Sequence, residues 1–455
     1  MRAVGRCGGR MAKMVGGRGT GGEKEKCMIV RELHFTRQSL SKGQEGIRMS
    51  AGMFRREIVK REQVRWMGSG GDEREPLKSC KRVVIKVGTA VVSRPNGTLA
   101  LARMGGLVEE IADLIEKGKQ VMLISSGAVG LGRERIGFSK EVISNTSNVV
   151  ERQASAAAGQ ELLMSTYNVM FNRLGIKCAQ VLITQGDFGM LDRYNNLANT
   201  LDRLSSLGVV PVINENDVVT GASQLDPATK GQVFTDNDML AALVAAGGEA
   251  DGVCMLTDVD GVFTKPPTEP GAERIKVYRD HEDVKIGTKS TMGRGGMGSK
   301  IHAAQVATQG GVHCCIANGY DIRNIARVFS GDDIGTFFPA RQRPSKHTHW
   351  LLHMALCQGV LRIRESAFEK KFKGAVVSEK GPQLEIADIA SIEGDFSSKS
   401  PVILKMENSK TEIGRALVNL GSDEIMNVLH NVGKGELRTF GSSQVLSKGD
   451  DLALF

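Results

Sequence analysis

Aromatic side chains are scarce: Phe, Tyr and Trp make up 5% of the 455 residues. That is a poor basis for a stacking surface for single-stranded nucleic acid. No apolar run approaches the ~20 residues that span a bilayer, so no membrane segment is expected. The eight cysteines, Cys7, Cys27, Cys80, Cys178, Cys254, Cys314, Cys315 and Cys357, form no CxxC pair, and several sit in apolar runs such as VCML and HCCIA. They read as small buried hydrophobes of a reducing compartment rather than as disulfides or metal ligands. His347, His349 and His353 are close-set but have no Cys or carboxylate at ligand spacing. They read as surface or linker residues, and no protein metal site is expected.

Basic charge is missing from most of the chain. Residues 1–80 hold 18 Lys and Arg against 9 Asp and Glu, which accounts for the whole formal charge of +9. The remainder is balanced, so the basicity does not describe a binding face on a folded body. The first 22 residues carry five basic and no acidic side chains but little serine. A disordered tail, a later start or an organelle transit peptide are the competing readings of 1–80. A cytoplasmic location is the default, with a plastid or mitochondrion as the alternative.

From Lys81 a regular rhythm begins. The apolar runs VVIKV, VMLIS, AQVLI, VVPVI, GVCML and VHCCI alternate with amphipathic stretches, for example Leu107, Val108, Ile111, Leu114 and Ile115 at helical spacing. Continuous apolar strands alternating with helices predict an α/β domain over 81–342, a mostly parallel sheet covered on both faces. Ligands of such sheets bind at the carboxyl ends of the strands. The rhythm stops near 345, and short strands with one late helix predict a smaller β-rich domain over 350–440.

Six polar clusters follow the strands or open helices. KVGTAVV (86–92) ends the first strand with Lys86 and turns at Gly88. A lysine there is costly unless it meets an anion, and glycine lets backbone N–H groups approach a phosphate. A surface lysine before a turn is the plain alternative. SSGAVGLG (125–132), with Ser126 and Gly127, reads as an anion nest or as a tight turn. INENDVV (213–219) packs polar groups behind a buried strand, and Asp217 suits an ammonium. In FTDNDML (234–240), Asp236 could be simply a helix cap, but Asn237 and Asp238 exceed what a cap needs. MLTDVDG (255–261) carries Thr257 and Asp258. GRGGMGSK (293–300) runs from Arg294 through Gly295, Gly296, Met297, Gly298 and Ser299 to Lys300, a glycine loop before a helix that suits phosphate. It matches GxGxxG formally, but no apolar strand precedes it, and no true GxxxxGK[ST] occurs, so neither a dinucleotide fold nor a P-loop is indicated.

Glycine loops, two distant lysines and a strand-end aspartate suggest phosphoryl transfer, which needs positioning and charge neutralisation. A carboxylate acceptor, with a pKa near ~4.3, is already an ionised nucleophile and needs no general base. That agrees with the absence of histidine from all six clusters. Lys86 and Lys300 are expected to flank the transferring group, with Asp258 holding both. Mg2+ is expected to bridge nucleotide phosphates, not to occupy a protein cage.

Taken in order, KVGTAVV, SSGAVGLG, AAAGQ (156–160), PVINENDVV, TDND, LTDVDG and GRGGMGSK resemble the amino-acid kinase family, and within it the kinases acting on L-glutamate. The resemblance covers roughly 81–340. It implies Lys86 and Lys300 as phosphate-neutralising lysines, Thr257 and Asp258 as an organising and nucleotide-contacting pair, and Arg294 to Lys300 as an ATP loop. It implies Ser126, Gly127, Asp217 and Asn237, with Asp236 and Asp238 beside them, as glutamate-binding positions. ATP and L-glutamate would give ADP and L-glutamyl 5-phosphate, the first step of proline biosynthesis. Proline inhibition and a homo-oligomer are further implications.

The stretch 392–425 is similar to the PUA domain carried by many such kinases, whereas KFKGAVVSEKG upstream departs from the pattern. PUA domains elsewhere bind RNA, but this segment lacks a basic, aromatic-rich face. The rivals are a kinase for aspartate, N-acetylglutamate, carbamate or a nucleoside monophosphate, and a non-catalytic RNA-binding regulator that kept the fold.

Overall fold

The computed structural model describes residues 73–141, 148–220, 236–279, 296–375, 381–433 and 444–455. The N-terminal 72 residues, Arg294 and Gly295 lie outside the described residues, so the expectations placed on them are not addressed by it.

The body follows the predicted rhythm. In chain order come β1 (Arg82–Val87), α1 (Leu101–Glu116), β2 (Gln120–Ser125), α2 (Ala128–Ile136), α3 (Val149–Arg173), β3 (Lys177–Ile183), α4 (Leu191–Ser206) and β4 (Val209–Glu215). They continue with α5 (Asn237–Gly247), β5 (Gly252–Thr257), α6 (Met297–Gln309), β6 (His313–Asn318), β7 (Thr336–Phe338) and α7 (Lys346–His353). The sheet order is β3-β4-β2-β1-β5-β6-β7, parallel throughout except for β7 against β6. The chain leaves β1 for β2 on one side and later reaches β5 on the other. The carboxyl end of β1 is therefore a switch point, where open α/β sheets bind ligands.

Alternation along β1 decides which groups meet there. Val83, Ile85 and Val87 enter one core layer with Leu107, Ile111, Tyr167 and Phe171 of α1 and α3. Val84 enters the other, with Leu240 and Leu243 of α5 and Ile301 of α6. Lys86 shares the face of Val84, so its side chain is carried toward α5 and α6. Residues Leu240 to Gly247 of α5 are buried on every side, as an apolar helix inside a large core must be.

Some boundaries differ from the sequence reading. Helix α3 starts at Val149, not near Ser155, because none of its side chains before Ser155 is buried and so no apolar periodicity marks the start. The packed body begins before residue 81: Arg74 and Leu77 are 4% and 1% exposed, and a short helix spans Glu75–Ser79. His349 is 3% exposed rather than a surface residue. Helix α7 carries it into the layer that holds Trp350, Leu351 and α5.

The C-terminal region has its own core around Leu361, Ile363, Val402, Leu404 and Ile425. Its strands are β8 (Gly359–Ile363), β9 (Leu384–Glu385), β10 (Ile389–Glu393), β11 (Pro401–Met406) and β12 (Glu412–Leu417). Helix α8 (Ser422–Gly433), β13 (Val445–Ser447) and β14 (Leu452–Leu454) follow. A five-stranded sheet, β10-β8-β11-β12-β14, lies with the pair β13-β9. Because β14 pairs with β12, the region runs past residue 440, where the sequence reading ended it. Among the described residues no helix is long and apolar enough to cross a membrane.

Candidate active site

The turn after β1 is fixed to its neighbour: Gly88 N–H donates to the Leu256 carbonyl at 3.3 Å, and Ser126 N–H donates to the Val87 carbonyl at 3.1 Å. The carboxyl ends of β1, β2 and β5 thus form one rim. Gly127 opens α2 at φ +116°, and a Cβ there would stand 2.9 Å from Val92 Cγ2. Glycine is required by conformation and by space.

Asp238 lies in the first turn of α5, 2% exposed. Lys86 Nζ is 2.6 Å from its Oδ1 and Lys300 Nζ is 2.9 Å from its Oδ2. Burial alone would raise the carboxyl pKa, but the two ammonium groups hold it below its ordinary value. This corrects the expected role of Asp258, which is exposed and accepts a hydrogen bond from Thr257 Oγ1 at 3.0 Å. The reason is directional: Lys86 points to the α5–α6 face of the sheet, where Asp238 stands, whereas Asp258 lies beyond the end of β5.

The α5 cap is Asp236, whose carboxylate accepts from the backbone N–H of Asp238 and Met239, each at 3.0 Å. Residue 236 therefore fulfils the simpler alternative, and in doing so aims Asp238 inward. Asn237 faces the other way. Its Nδ2 donates to Ser126 Oγ and to Asn214 Oδ1, both at 2.9 Å. Asn214 Nδ2 in turn donates to Gln160 Oε1 at 2.9 Å. Three of the sequence clusters, after β2, after β4 and at the start of α5, therefore meet in one hydrogen-bonded line.

Beside that line are two carboxyls. Glu215, 6% exposed, is pushed up to about 7 by burial and then by the Asp217 carboxylate, with Arg152 opposing. Half-buried Asp217 is pushed up to about 6 by burial, again opposed by Arg152. Burial penalises a charge of either sign, so it is the mutual repulsion of these two carboxylates that an arriving ammonium would relieve.

On the other flank, Gly296 caps α6 without any side-chain cap bond. Its first-turn N–H groups face outward at a helix N-terminus, a setting that suits phosphate. Ser299 Oγ donates to the Gly296 carbonyl at 2.9 Å, and Lys300 projects from the same turn. Among the described residues no three of His, Cys, Asp and Glu converge on a possible metal position.

The amino acid kinase family model matches residues 81–318. Over 353 residues the chain is 38% identical to the glutamate 5-kinase of Synechococcus elongatus, which spans 76% of this chain and 91% of that one. The chain belongs to the amino acid kinase family. Within it, the glutamate 5-kinase of Geobacter sulfurreducens is 35% identical over 367 residues, 79% of this chain and 93% of its own. The delta-1-pyrroline-5-carboxylate synthase 1 of Oryza sativa subsp. japonica is 40% identical over 281 residues, 60% of this chain and 39% of that protein. These relatives put the chain among the glutamate 5-kinases of the amino acid kinase family.

Of the expected site residues, Lys86, Asp238 and Lys300 converge, as do Ser126 and Asn237. Asp258 and Thr257 form a separate pair. Sequence reasoning missed the central position of Asp238, although a charge in the first turn of an otherwise apolar helix is a signal, since a buried charge needs a counter-charge. It also missed Gln160, Asn214 and Glu215 as individual groups, though all three lie within quoted motifs. The glycine of AAAGQ has a packing role: a Cβ on Gly159 would stand 1.9 Å from the Ala128 carbonyl oxygen, where α3 crosses α2.

Proposed function

We propose that this kinase transfers the terminal phosphoryl group of ATP to the side-chain carboxylate of L-glutamate. The products are ADP and L-glutamyl 5-phosphate, and the step is the first of proline biosynthesis. The observation that carries the reading is the pair of lysines, from β1 and α6, converging on one buried carboxylate at 2.6 and 2.9 Å.

The chemistry follows from those groups. The acceptor carboxylate is ionised at neutral pH and attacks without a base. As the bond to the leaving diphosphate lengthens, negative charge spreads over the equatorial phosphoryl oxygens. Lys86 and Lys300, already held by Asp238, neutralise that charge with little reorganisation, which is the source of the rate gain. The N-terminal turn of α6 at Gly296 and Met297 receives phosphate oxygens. Mg2+ fits as a companion of the nucleotide, because oxygen ligands beyond one or two carboxylates come from the phosphates; when bound it offsets their charge.

Glutamate is assigned to the Ser126–Asn237–Asp217 side. Asn237 donates to the Ser126 oxygen and so leaves the hydroxyl proton to be turned toward a carboxylate, and Asp217 with Glu215 suits the ammonium. Thr257 and Asp258 are assigned to the nucleotide, with its nucleoside end in the cleft beyond them. Proline, which carries the same carboxylate and ammonium head, is proposed to compete there. A homo-oligomer and a PUA-like C-terminal domain without RNA affinity complete the proposal.

The test is ADP release by the purified full chain with Mg-ATP and, in turn, L-glutamate, L-aspartate, N-acetyl-L-glutamate and UMP. Turnover with glutamate alone supports the reading. Turnover only with another acceptor keeps the mechanism and reassigns the substrate.

A further inference from the structure

Arg74 precedes residue 81, where the family match begins, yet it is 4% exposed. A buried guanidinium requires acceptors for its donors. Arg74 has four backbone carbonyls. Nη1 donates to Asp332 at 3.0 Å and Ile334 at 2.6 Å, and Nη2 donates to Lys276 at 2.7 Å and Gly335 at 3.0 Å. Asp333 Oδ1 is 3.4 Å from Nη2, and the guanidinium lies 5.9 Å from the Phe337 ring centroid.

These acceptors belong to two segments. One is the turn entering β7. The other is the end of the hairpin in which Phe263 pairs with Arg274. Phe337 N–H donates to the same Lys276 carbonyl at 3.0 Å, and Arg274 Nη2 donates to Asp333 Oδ1 at 2.8 Å. Arg74 thus fastens the hairpin to β7. Between them opens a cleft of about 660 Å3 lined by Asp260, Arg274, Asn318, Tyr320, Ile334 and Gly335. Its inner edge is tied to the nucleotide-side turn: Asn318 Nδ2 donates to Asp260 Oδ1 at 2.8 Å, and Gly319 N–H donates to the Thr257 carbonyl at 2.7 Å.

We propose that Arg74, from the segment upstream of the family match, is a positioning residue that sets the outer wall of the nucleoside cleft and thereby affinity for ATP. This rests on the nucleotide assignment above. The effect is specific to one substrate, because the glutamate groups follow β2 and β4 and open α5, whereas the cleft is lined by residues after β5, after β6 and before β7.

The experiment compares the full chain with Arg74→Lys and Arg74→Ala, measuring KM for both substrates and equilibrium binding of Mg-ATP without acceptor. Lysine keeps the charge but cannot reach four carbonyls, so KM and Kd for ATP rise about tenfold with glutamate KM within about twofold. Millimolar guanidinium restores ATP affinity to Arg74→Ala, and methylammonium does not. Unchanged ATP affinity overturns the proposal, as does a fall in kcat alone with both KM values intact, which reports only lost folded enzyme. Should both variants fail to fold, Asp333→Asn decides: it loosens the fastening from its exposed end and raises ATP Kd about threefold, and no change overturns the proposal. Absence of glutamate turnover in the unaltered chain would defeat the functional reading alone, because ATP binding still reads the Arg74 effect.

Discussion

Lys86 and Lys300 share a single partner, the two oxygens of Asp238, at 2.6 and 2.9 Å. The lysines are 4% exposed and half-buried, respectively. The arrangement presets two positive charges at the switch point of the sheet before any phosphate arrives.

Asp238→Asn is expected to be far more damaging than an ordinary surface change. It leaves two ammonium groups facing each other without a counter-charge, and breaking a buried pair costs about 3–5 kcal/mol. Thermal unfolding should show the loss of stability, and kcat should fall at least about a hundredfold in the folded fraction. A variant with normal kcat would show that the lysines do not need this carboxylate.

Asn237→Ala separates the two substrates. It removes one donor from both Ser126 and Asn214, so KM for glutamate should rise about tenfold while KM for ATP stays constant. Steady-state kinetics with each substrate varied in turn distinguish this from a general loss of activity.

The acidic pair gives a pH signature. Glu215 titrates near about 7 and Asp217 near about 6 when folded, above the ordinary carboxylate range. The folded state therefore holds more protons between about pH 4.5 and 7. Their contribution to stability is present at the acid end of that window and is lost as pH rises through it. Glu215→Gln should flatten that slope in a plot of Tm against pH. Glutamate binding should run the other way, with KM rising below about pH 6 as Asp217 loses the charge that attracts the ammonium.

His349 slopes oppositely. Burial pushes its imidazole down to about 4, so it stays neutral in the fold while the unfolded chain takes up a proton below the ordinary imidazole value of 6.5. Stability is lost as pH falls from there toward about 4. His349→Gln should remove that loss, read as Tm between those limits. Trp350, one residue on, donates Nε1–H to the Phe188 carbonyl at 2.8 Å, and Trp350→Phe should cost about 1 kcal/mol with activity retained.

Gly132→Ala tests the packing of α2 against α3. The added Cβ would stand 1.7 Å from the Ser155 carbonyl oxygen, a clash that backbone cannot absorb cheaply. Soluble yield or Tm should fall sharply, whereas Gly130→Ala, with open space around it, should be tolerated.

The parallel sheet was legible in the sequence because its central strands are uninterrupted apolar runs, and the site was legible because each polar cluster follows a strand end. What the sequence could not show is direction. Asp238 and Asp258 look alike in a string, and only the alternation of β1 and the cap at Asp236 decide which of them meets Lys86. Arg74 was invisible for a related reason. Its acceptors are backbone carbonyls, which carry no residue signature, and they lie far along the chain. The late β14 strand was missed because three residues give too little periodicity to read.

The most direct test of the central claim is to run the full chain with Mg-ATP and L-glutamate in the presence of hydroxylamine and to fragment the trapped product by mass spectrometry. A carboxylate kinase of this kind yields glutamate hydroxamate on the side-chain carboxyl, in step with ADP and dependent on both substrates. ADP release without hydroxamate, or hydroxamate on the α-carboxyl, would contradict the assignment of the side-chain carboxylate as the phosphoryl acceptor.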